Sequence, residues 1–154
     1  MQINLRHSKA ATLHLSQILL DLDIDIVLVQ EPYAKRNLFL VDIIQIPYLP
    51  DQYTVHHNLN KDHAYGAVIL TKRYLMAKTI ANISSNEYIG ISLFNNSKTP
   101  IHLFSVYCRP SKNLSTSIDP IGKFPHLKNS IICMDSNAKN KLWGSKTRTV
   151  KVVN

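Results

Sequence analysis

The sequence predicts an α/β domain in which a strand, a helix and a second strand are followed by several closely spaced strands. From Ala11 to Leu22, apolar residues recur at spacings of four, three and four, which is typical of an amphipathic helix with Ser8 as its N-cap. The run MQINL precedes this helix, and the β-branched run IDIVLVQ follows it. This order favours a right-handed crossover between two parallel strands.

Short apolar runs between turn-forming residues predict further strands in the rest of the chain. They are YTVHH at 53–57, GAVILT at 66–71, AKTIANI at 77–83, YIGISLF at 88–94, IHLFSVY at 101–107 and SIICM at 130–134. Their close spacing favours antiparallel meanders. Residues 33–52 are expected to form a long connection, and the proline-containing stretch 108–129 leaves room for at most a short helix.

Length and composition restrict the class of protein. A chain of 154 residues with 45% hydrophobic residues suits one globular domain, residues 1–154. No run of about 18 uninterrupted apolar residues is present, so we expect no membrane span, and the N-terminus lacks the apolar region of a signal peptide. The two cysteines, Cys108 and Cys133, are too few for a disulfide scaffold, and we expect buried, reduced thiols.

The net charge of +8 lies entirely in the second half of the sequence. Residues 1–77 carry equal numbers of acids and bases, whereas residues 78–154 carry eleven bases and three acids. The stretch from Ala138 to Asn154 holds five bases and no acid, so it is either a phosphate-facing surface or a solvated tail. The candidate nucleic-acid-binding residues are Arg109, Lys139, Lys141 and Lys146.

Four of the predicted strands deliver a polar side chain at or just after their carboxyl ends. These side chains are Asn4, Glu31, Tyr107 and Asp135, with Asn137 two residues further on. If the sheets bring those ends together, all five surround one crevice, which is where sites of α/β proteins usually lie. Carboxylates with amide and water oxygens suit Mg²⁺, which binds through one or two carboxylates and a substrate phosphate.

Each of these signals also has a purely structural interpretation. Glu31 before a proline is compatible with a simple strand end, Asp135 and Asn137 with an Asx turn, and Tyr107 with ordinary packing. Their agreement favours a site over these alternatives. The seven histidines show no spacing typical of zinc ligands, and we interpret them as surface or internally bonded residues.

Four motifs in order resemble a known family. INLRHSKAAT, IVLVQEPY, SVYCRPS and IICMDSNAKNKLWGS are similar to successive motifs of the endonuclease/exonuclease/phosphatase family, and within it of the apurinic-endonuclease-like domain of insect-type non-LTR retrotransposons. The resemblance implies an α/β sandwich of mixed, largely antiparallel sheets with flanking helices. Because the family's later motifs, including a terminal Asp-His pair, have no match after LWGS, we expect the C-terminal strands to be missing and activity to be weak or absent.

The resemblance also implies a role for each strand-end residue. Glu31 resembles the metal-binding glutamate, and Asn4 the first-strand amide near the metal, which belongs to the catalytic set as well. Tyr107 resembles the phosphate-contacting tyrosine, Asp135 the aspartate that activates or orients the attacking water, and Asn137 its partner in positioning the scissile phosphate. The implied cofactor is Mg²⁺, with Mn²⁺ as the alternative.

The implied reaction is hydrolysis of a DNA phosphodiester, which nicks one strand and exposes a 3′-hydroxyl that primes reverse transcription. DNA is then the expected partner, together with a reverse transcriptase region of a longer polyprotein, and the expected place of action is intracellular, in the nucleus. Two alternatives remain open: a non-catalytic nucleic-acid-binding remnant of the same fold, favoured by the charge of residues 78–154, and a fragment that does not fold stably.

Overall fold

The computed structural model describes residues 1–36, 44–60, 66–94 and 99–137. Within these ranges there are two α-helices, α1 (Lys9–Asp21) and α2 (Leu114–Gly122), and two 3₁₀ turns, Ala81–Ile83 and Leu127–Asn129. The strands are β1 (Gln2–Asn4), β2 (Ile26–Gln30), β3 (Lys35–Arg36), β4 (Ile44–Gln45), β5 (Tyr53–His57), β6 (Ala67–Lys72), β7 (Met76–Thr79), β8 (Tyr88–Phe94), β9 (Ile101–Tyr107) and β10 (Ser130–Asp135).

Two four-stranded sheets form the centre of the fold. The first has the order β1-β2-β6-β5, and the second has the order β10-β9-β8-β7. In the first sheet β1 is parallel to β2, as the opening strand–helix–strand pattern predicts, and the other pairs are antiparallel. In the second sheet β7, β8 and β9 form the predicted meander, and β10 is added parallel to β9.

The alternation of side chains along the central strands explains why two layers of core form. In β2, Val27 and Val29 pack with Leu15 and Leu19 of α1, while Leu28 points to the other face. That other face meets the second sheet, where Ile69 of β6 lies in one cluster with apolar residues of β8 and β9. The result is a helix, sheet, sheet, helix arrangement, with α2 packed on the outer face of the second sheet.

Local chemistry determines where the first helix begins. The hydroxyl oxygen of Ser8 accepts a hydrogen bond from the backbone N–H of Ala11 at 3.2 Å, so Ser8 is the N-cap that the sequence predicts. The predicted strand at 77–83 is shorter in the structure, because its second half forms the 3₁₀ turn Ala81–Ile83. The predicted connection 33–52 contains the short β3–β4 pair, with residues 37–43 outside the described ranges.

The two cysteines are free thiols: Cys108 is buried and Cys133 is partly exposed. None of the helices in the described ranges is long and apolar enough to cross a membrane.

Candidate active site

The parallel strand pairs of the two sheets end at the same side of the sandwich. Asn4 pairs with Gln30 at the end of β1 and β2, and Asp135 pairs with Tyr107 at the end of β9 and β10. Between these ends lies an open cleft of about 870 Å³. Its walls include Asn4, Arg6, His7, Glu31, Asp135 and Asn137.

Asn4 and Asp135 join the two sheets across this cleft. The amide Nδ2 of Asn4 donates a hydrogen bond to Oδ2 of Asp135 at 2.5 Å, although the two residues are 131 positions apart in the sequence. The amide oxygen of Asn4 accepts a hydrogen bond from the backbone N–H of Arg6 at 2.8 Å. Because its amide is held at both ends, Asn4 has a fixed orientation, and it fixes Asp135 in turn.

The chain bends just after β10. Asn137 has a φ of 47°, so the chain leaves the extended conformation, and its backbone N–H donates to Oδ1 of Asp135 at 3.0 Å. The side-chain amide of Asn137 donates to the carbonyl oxygen of Cys108 at 2.9 Å. The Asx-turn interpretation and the site interpretation are therefore compatible, since the turn itself brings Asn137 to the wall of the cleft.

Glu31 lies on the opposite wall from Asp135, directly after β2. Its φ of 50° turns the chain away from the strand, and its backbone N–H donates to the carbonyl oxygen of Gly66 at 2.9 Å. A Cβ at Gly66 would lie 1.5 Å from the carbonyl oxygen of Asn86, so only glycine permits this close approach of backbones. The carboxylate Oε1 of Glu31 lies 3.3 Å from Nε2 of His7.

Tyr107 connects the core to the carboxylates. Burial raises the pKa of its hydroxyl far above the ordinary value. A hydrogen bond to Glu31 and the negative charges of Glu31 and Asp135 act in the same direction, while the charge of Arg109 opposes them. Tyr107 therefore remains a neutral hydrogen-bond donor to Glu31 throughout the physiological pH range, although it does not itself line the cleft as the other four predicted residues do.

A buried polar contact lies beneath the cleft. The amide Nε2 of Gln30 donates to the hydroxyl of Ser105 at 2.9 Å, and this hydroxyl donates to the carbonyl oxygen of Val29 at 3.3 Å. Both Gln30 and Ser105 are completely buried. Since Gln30 precedes Glu31 and Ser105 lies two residues before Tyr107, this contact fixes the two sheets relative to each other next to the site.

The predicted nucleic-acid-binding residues fall into two groups. Arg109 lies beside the site and forms an ion pair with the buried Glu87, with Nε of Arg109 at 2.8 Å from Oε1. Lys139, Lys141 and Lys146 lie outside the described residues, so their proposed roles remain predictions.

Several cleft residues were not identified from the sequence. His7 and Arg6 both line the cleft, and both have a positive φ, so the turn after β1 directs them there. The histidines were expected on the surface or bonded internally, and His7 is partly exposed and contacts Glu31. Their position in the sequence could have identified Arg6 and His7, because both lie within the INLRHSKAAT motif immediately after the first strand.

The donor set of the cleft fits a magnesium ion. In the part of the chain that the structure describes, no three His, Cys, Asp or Glu side chains are grouped so that they could hold a metal ion. The cleft instead offers the two carboxylates of Glu31 and Asp135 with the amides of Asn4 and Asn137. This composition suits a hard cation that keeps several waters, as Mg²⁺ does, and is too poor in nitrogen and sulfur ligands for a zinc site.

The chain is similar to proteins whose fold and family are known. A family model described as "Endonuclease-reverse transcriptase" matches residues 101–153. The structure is similar to the endonuclease domain of TRAS1, a telomere-specific non-LTR retrotransposon, with a TM-score of 0.74 and 23% identity. This similarity covers 97% of the present chain and 64% of the TRAS1 domain, so the chain spans less than two thirds of that domain.

A second similar structure is an endonuclease/exonuclease/phosphatase family protein from Leptotrichia buccalis C-1013-b. Its TM-score is 0.61 at 14% identity, and the match covers 94% of the present chain and 67% of the other. No curated protein sequence matches the chain. The resemblance predicted from the four sequence motifs is confirmed, and the fold is the mixed α/β sandwich of this group of proteins.

Proposed function

We propose that this chain is a Mg²⁺-dependent DNA endonuclease domain of the non-LTR retrotransposon type, which nicks one DNA strand. One observation carries the proposal: the cleft at the strand ends places two carboxylates and two amides, which come from three separate segments of the sequence, around a single space. The similarity to the endonuclease domain of TRAS1 supports the same reaction class.

Asp135 is proposed to accept the proton of the attacking water. Each of its carboxylate oxygens accepts one hydrogen bond, from Asn4 and from the backbone of Asn137, and each oxygen keeps a lone-pair site for a water molecule. The water oxygen would bond to phosphorus while the bond between phosphorus and the 3′ oxygen breaks. The products are a 3′-hydroxyl and a 5′-phosphate. Held from two sides, Asp135 can orient the water before the reaction begins.

Glu31 and Asn4 are proposed to hold the metal ion, and Tyr107 and Asn137 to contact the phosphate. A bound Mg²⁺ would polarise a phosphoryl oxygen and stabilise the leaving oxyanion. The neutral hydroxyl of Tyr107 can donate a hydrogen bond to Glu31 or to a phosphate oxygen without adding negative charge to a site that already holds two carboxylates.

The proposed substrate is double-stranded DNA, and the proposed setting is a longer polyprotein that also carries a reverse transcriptase. The net charge of +8 supports binding of a polyanion. The family model that matches residues 101–153 supports the polyprotein setting, because its description names an endonuclease together with a reverse transcriptase. Action on chromosomal DNA would place the protein in the nucleus.

Nicking of supercoiled plasmid tests this proposal. The purified chain is incubated with plasmid and Mg²⁺, and the Asp135→Asn variant is compared with Asp25→Asn, which changes an exposed acid at the opposite end of the first sheet. We expect Asp135→Asn to lower the nicking rate by about 100-fold or more and Asp25→Asn to leave it unchanged. Equal nicking by wild type and Asp135→Asn would refute the assignment.

A non-catalytic DNA-binding protein of the same fold is the second candidate. It is favoured by the basic charge of residues 78–154 together with the small number of carboxylates at the cleft. It predicts DNA binding that weakens steeply as salt rises, with no nicking by the wild type at any Mg²⁺ concentration. Nicking that depends on Asp135 would exclude it.

A further inference from the structure

Glu87 lies beside the candidate site and makes an arrangement that the proposed chemistry does not use. Its side chain is only 8% exposed, and its Oε1 contacts both Nε of Arg109 and Nζ of Lys112 at 2.8 Å. The two cations extend towards solvent, with side chains 27% and 46% exposed. An approaching polyanion would therefore meet the positive groups and not the acid beneath them.

The backbone around Glu87 is anchored to both sheets. The carbonyl oxygen of Glu87 accepts from the N–H of Tyr107 at 2.7 Å, and the carbonyl oxygen of Asn86 accepts from the N–H of Ala67 at 2.9 Å. The N–H of Glu87 donates to the hydroxyl of Ser85 at 3.1 Å. Its carboxylate is therefore attached to a rigid part of the fold, whereas Arg109 and Lys112 belong to the loop between β9 and α2.

That loop is also tied to the candidate site. Asn137 donates to the carbonyl oxygen of Cys108, and the N–H of Cys108 donates to the carbonyl oxygen of Asp135 at 2.9 Å. The residue that follows Cys108 is Arg109, whose charge acts on the Tyr107 hydroxyl. Arg109 is thus close to Tyr107, one of the proposed phosphate contacts, and Glu87 contacts both Arg109 and Lys112.

We propose that Glu87 is a positioning residue, which holds Arg109 and Lys112 as a two-cation patch on the loop after Tyr107 that binds a DNA backbone phosphate. This inference rests on the proposed function, since it names where the substrate of that site is held. One carboxylate beneath two cations leaves one net positive charge at the patch. It also removes the freedom of two long side chains before DNA arrives, so less conformational entropy is lost on binding.

The sign of the Glu87→Ala effect distinguishes positioning from simple charge. Removal of an acid near a DNA-binding surface strengthens DNA binding if only the net charge matters. If Glu87 positions the two cations, its removal weakens binding despite the gain in positive charge. Asp119 and Lys123 on α2 provide a control for the change of charge, because they form a lysine–carboxylate pair at 2.6 Å that is exposed and separate from Glu87.

The experiment measures binding of the full chain to a short fluorescein-labelled DNA duplex by anisotropy, with a metal chelator present and the NaCl concentration varied. We expect Lys112→Ala to weaken binding by about tenfold at low salt and to lower the salt slope by about one, and Lys123→Ala to do neither. We expect Glu87→Ala to weaken binding several-fold, and Asp119→Ala, with the same charge change, to leave it equal or tighter.

Two further variants keep the result interpretable. If Glu87→Ala lowers the melting temperature so far that it cannot be assayed, Glu87→Gln replaces it, with an expected intermediate loss of affinity because an amide oxygen still accepts hydrogen bonds. In a chain that already carries Arg109→Ala and Lys112→Ala, the Glu87→Ala change should no longer weaken binding. A persistent weakening there would mean that Glu87 acts through the general fold, and would overturn the inference.

The outcomes separate this inference from the proposed function. Binding by Glu87→Ala that is as tight as binding by Asp119→Ala overturns the inference alone, provided that wild-type nicking still depends on Asp135. Wild-type chain that shows no salt-dependent DNA binding overturns both.

Discussion

Acidic side chains lie at both ends of the first sheet, but their surroundings differ. The end away from the cleft, where Lys72 contacts Asp23 and Asp25, is called the lysine end, and the other is the cleft end. At the end away from the cleft, Nζ of Lys72 lies 2.5 Å from Oδ1 of Asp23 and 3.3 Å from Oδ1 of Asp25. Tyr74 donates a further hydrogen bond to Asp25. The hydrogen bond from Tyr74 and then that from Lys72 lower the pKa of Asp25, so this acid is stabilised in its charged form.

At the cleft end, Glu31 of the first sheet lies near Asp135 of the second sheet, and both carboxylates receive hydrogen bonds. Glu31 is contacted by Tyr107 and His7, and Asp135 by Asn4 and the backbone of Asn137. Among the described residues, neither acid lies within ion-pair distance of a lysine or arginine. The lysine end therefore contributes to stability, whereas the cleft end keeps its negative charge available for a bound cation.

Replacing Glu31 should give the largest functional effect. We expect Glu31→Gln to lower Mg²⁺-dependent nicking by about 100-fold or more, because the proposed metal site loses its carboxylate ligand. Wild-type chain should also show a higher melting temperature when Mg²⁺ is added, and the variant should not. A variant whose melting temperature still rises equally with Mg²⁺ would rule out Glu31 as a metal ligand.

The buried contact beneath the cleft should make the next largest contribution. Ser105→Ala leaves Nε2 of the fully buried Gln30 without its partner, at an expected cost of about 1–3 kcal/mol in the free energy of unfolding. Adding Gln30→Leu should recover part of this loss, because both polar groups are then removed. Urea unfolding of the single and double variants measures the coupling, and strictly additive effects would argue against the contact.

Replacing Lys72 should lower stability without lowering nicking, whereas replacing Glu31 lowers nicking. We expect Lys72→Met to lower the melting temperature by roughly 2–4 °C, since Asp23 and Asp25 lose their cation while the buried stem is kept. Nicking should remain at the wild-type rate. A nicking rate of Lys72→Met that is lowered as much as that of Glu31→Gln would contradict the comparison between the two ends.

Acidification should give the smallest effect. His56 lies on β5, with Nδ1 at 3.0 Å from the Thr79 hydroxyl and Nε2 at 3.1 Å from the Thr71 hydroxyl. Burial, and then the charge of His57, lowers the pKa of His56, so between its folded pKa and about 6.5 the unfolded chain binds the extra proton. Stability is therefore present above about pH 6.5 and is lost as pH falls below that value.

Melting temperatures at about pH 7.5 and about pH 5.5 test this expectation. Burial also lowers the pKa of His57 and of His102, so His56→Asn should remove only part of the pH dependence. An unaltered pH dependence in His56→Asn would show that the other histidines account for it.

Much of the fold could be predicted because its determinants are local. The Ser8 cap, the spacing of apolar residues in α1 and the apolar runs of β5, β8 and β9 each lie within a few consecutive residues. Other features depend on distant contacts. The parallel addition of β10 to β9 joins two strands that are far apart in the sequence, which no short stretch of sequence encodes.

The sequence by itself determined which side chains stand at the strand ends, since each polar residue closes an apolar run that has to be buried. Only the tertiary structure decided their neighbours. Asn4 meets Asp135 across 131 positions, His7 turns towards Glu31, and Arg109 binds Glu87. The physical reason is that hydrogen bonds and ion pairs depend on distances of about 3 Å, which exist only after two sheets from separate parts of the chain have packed together.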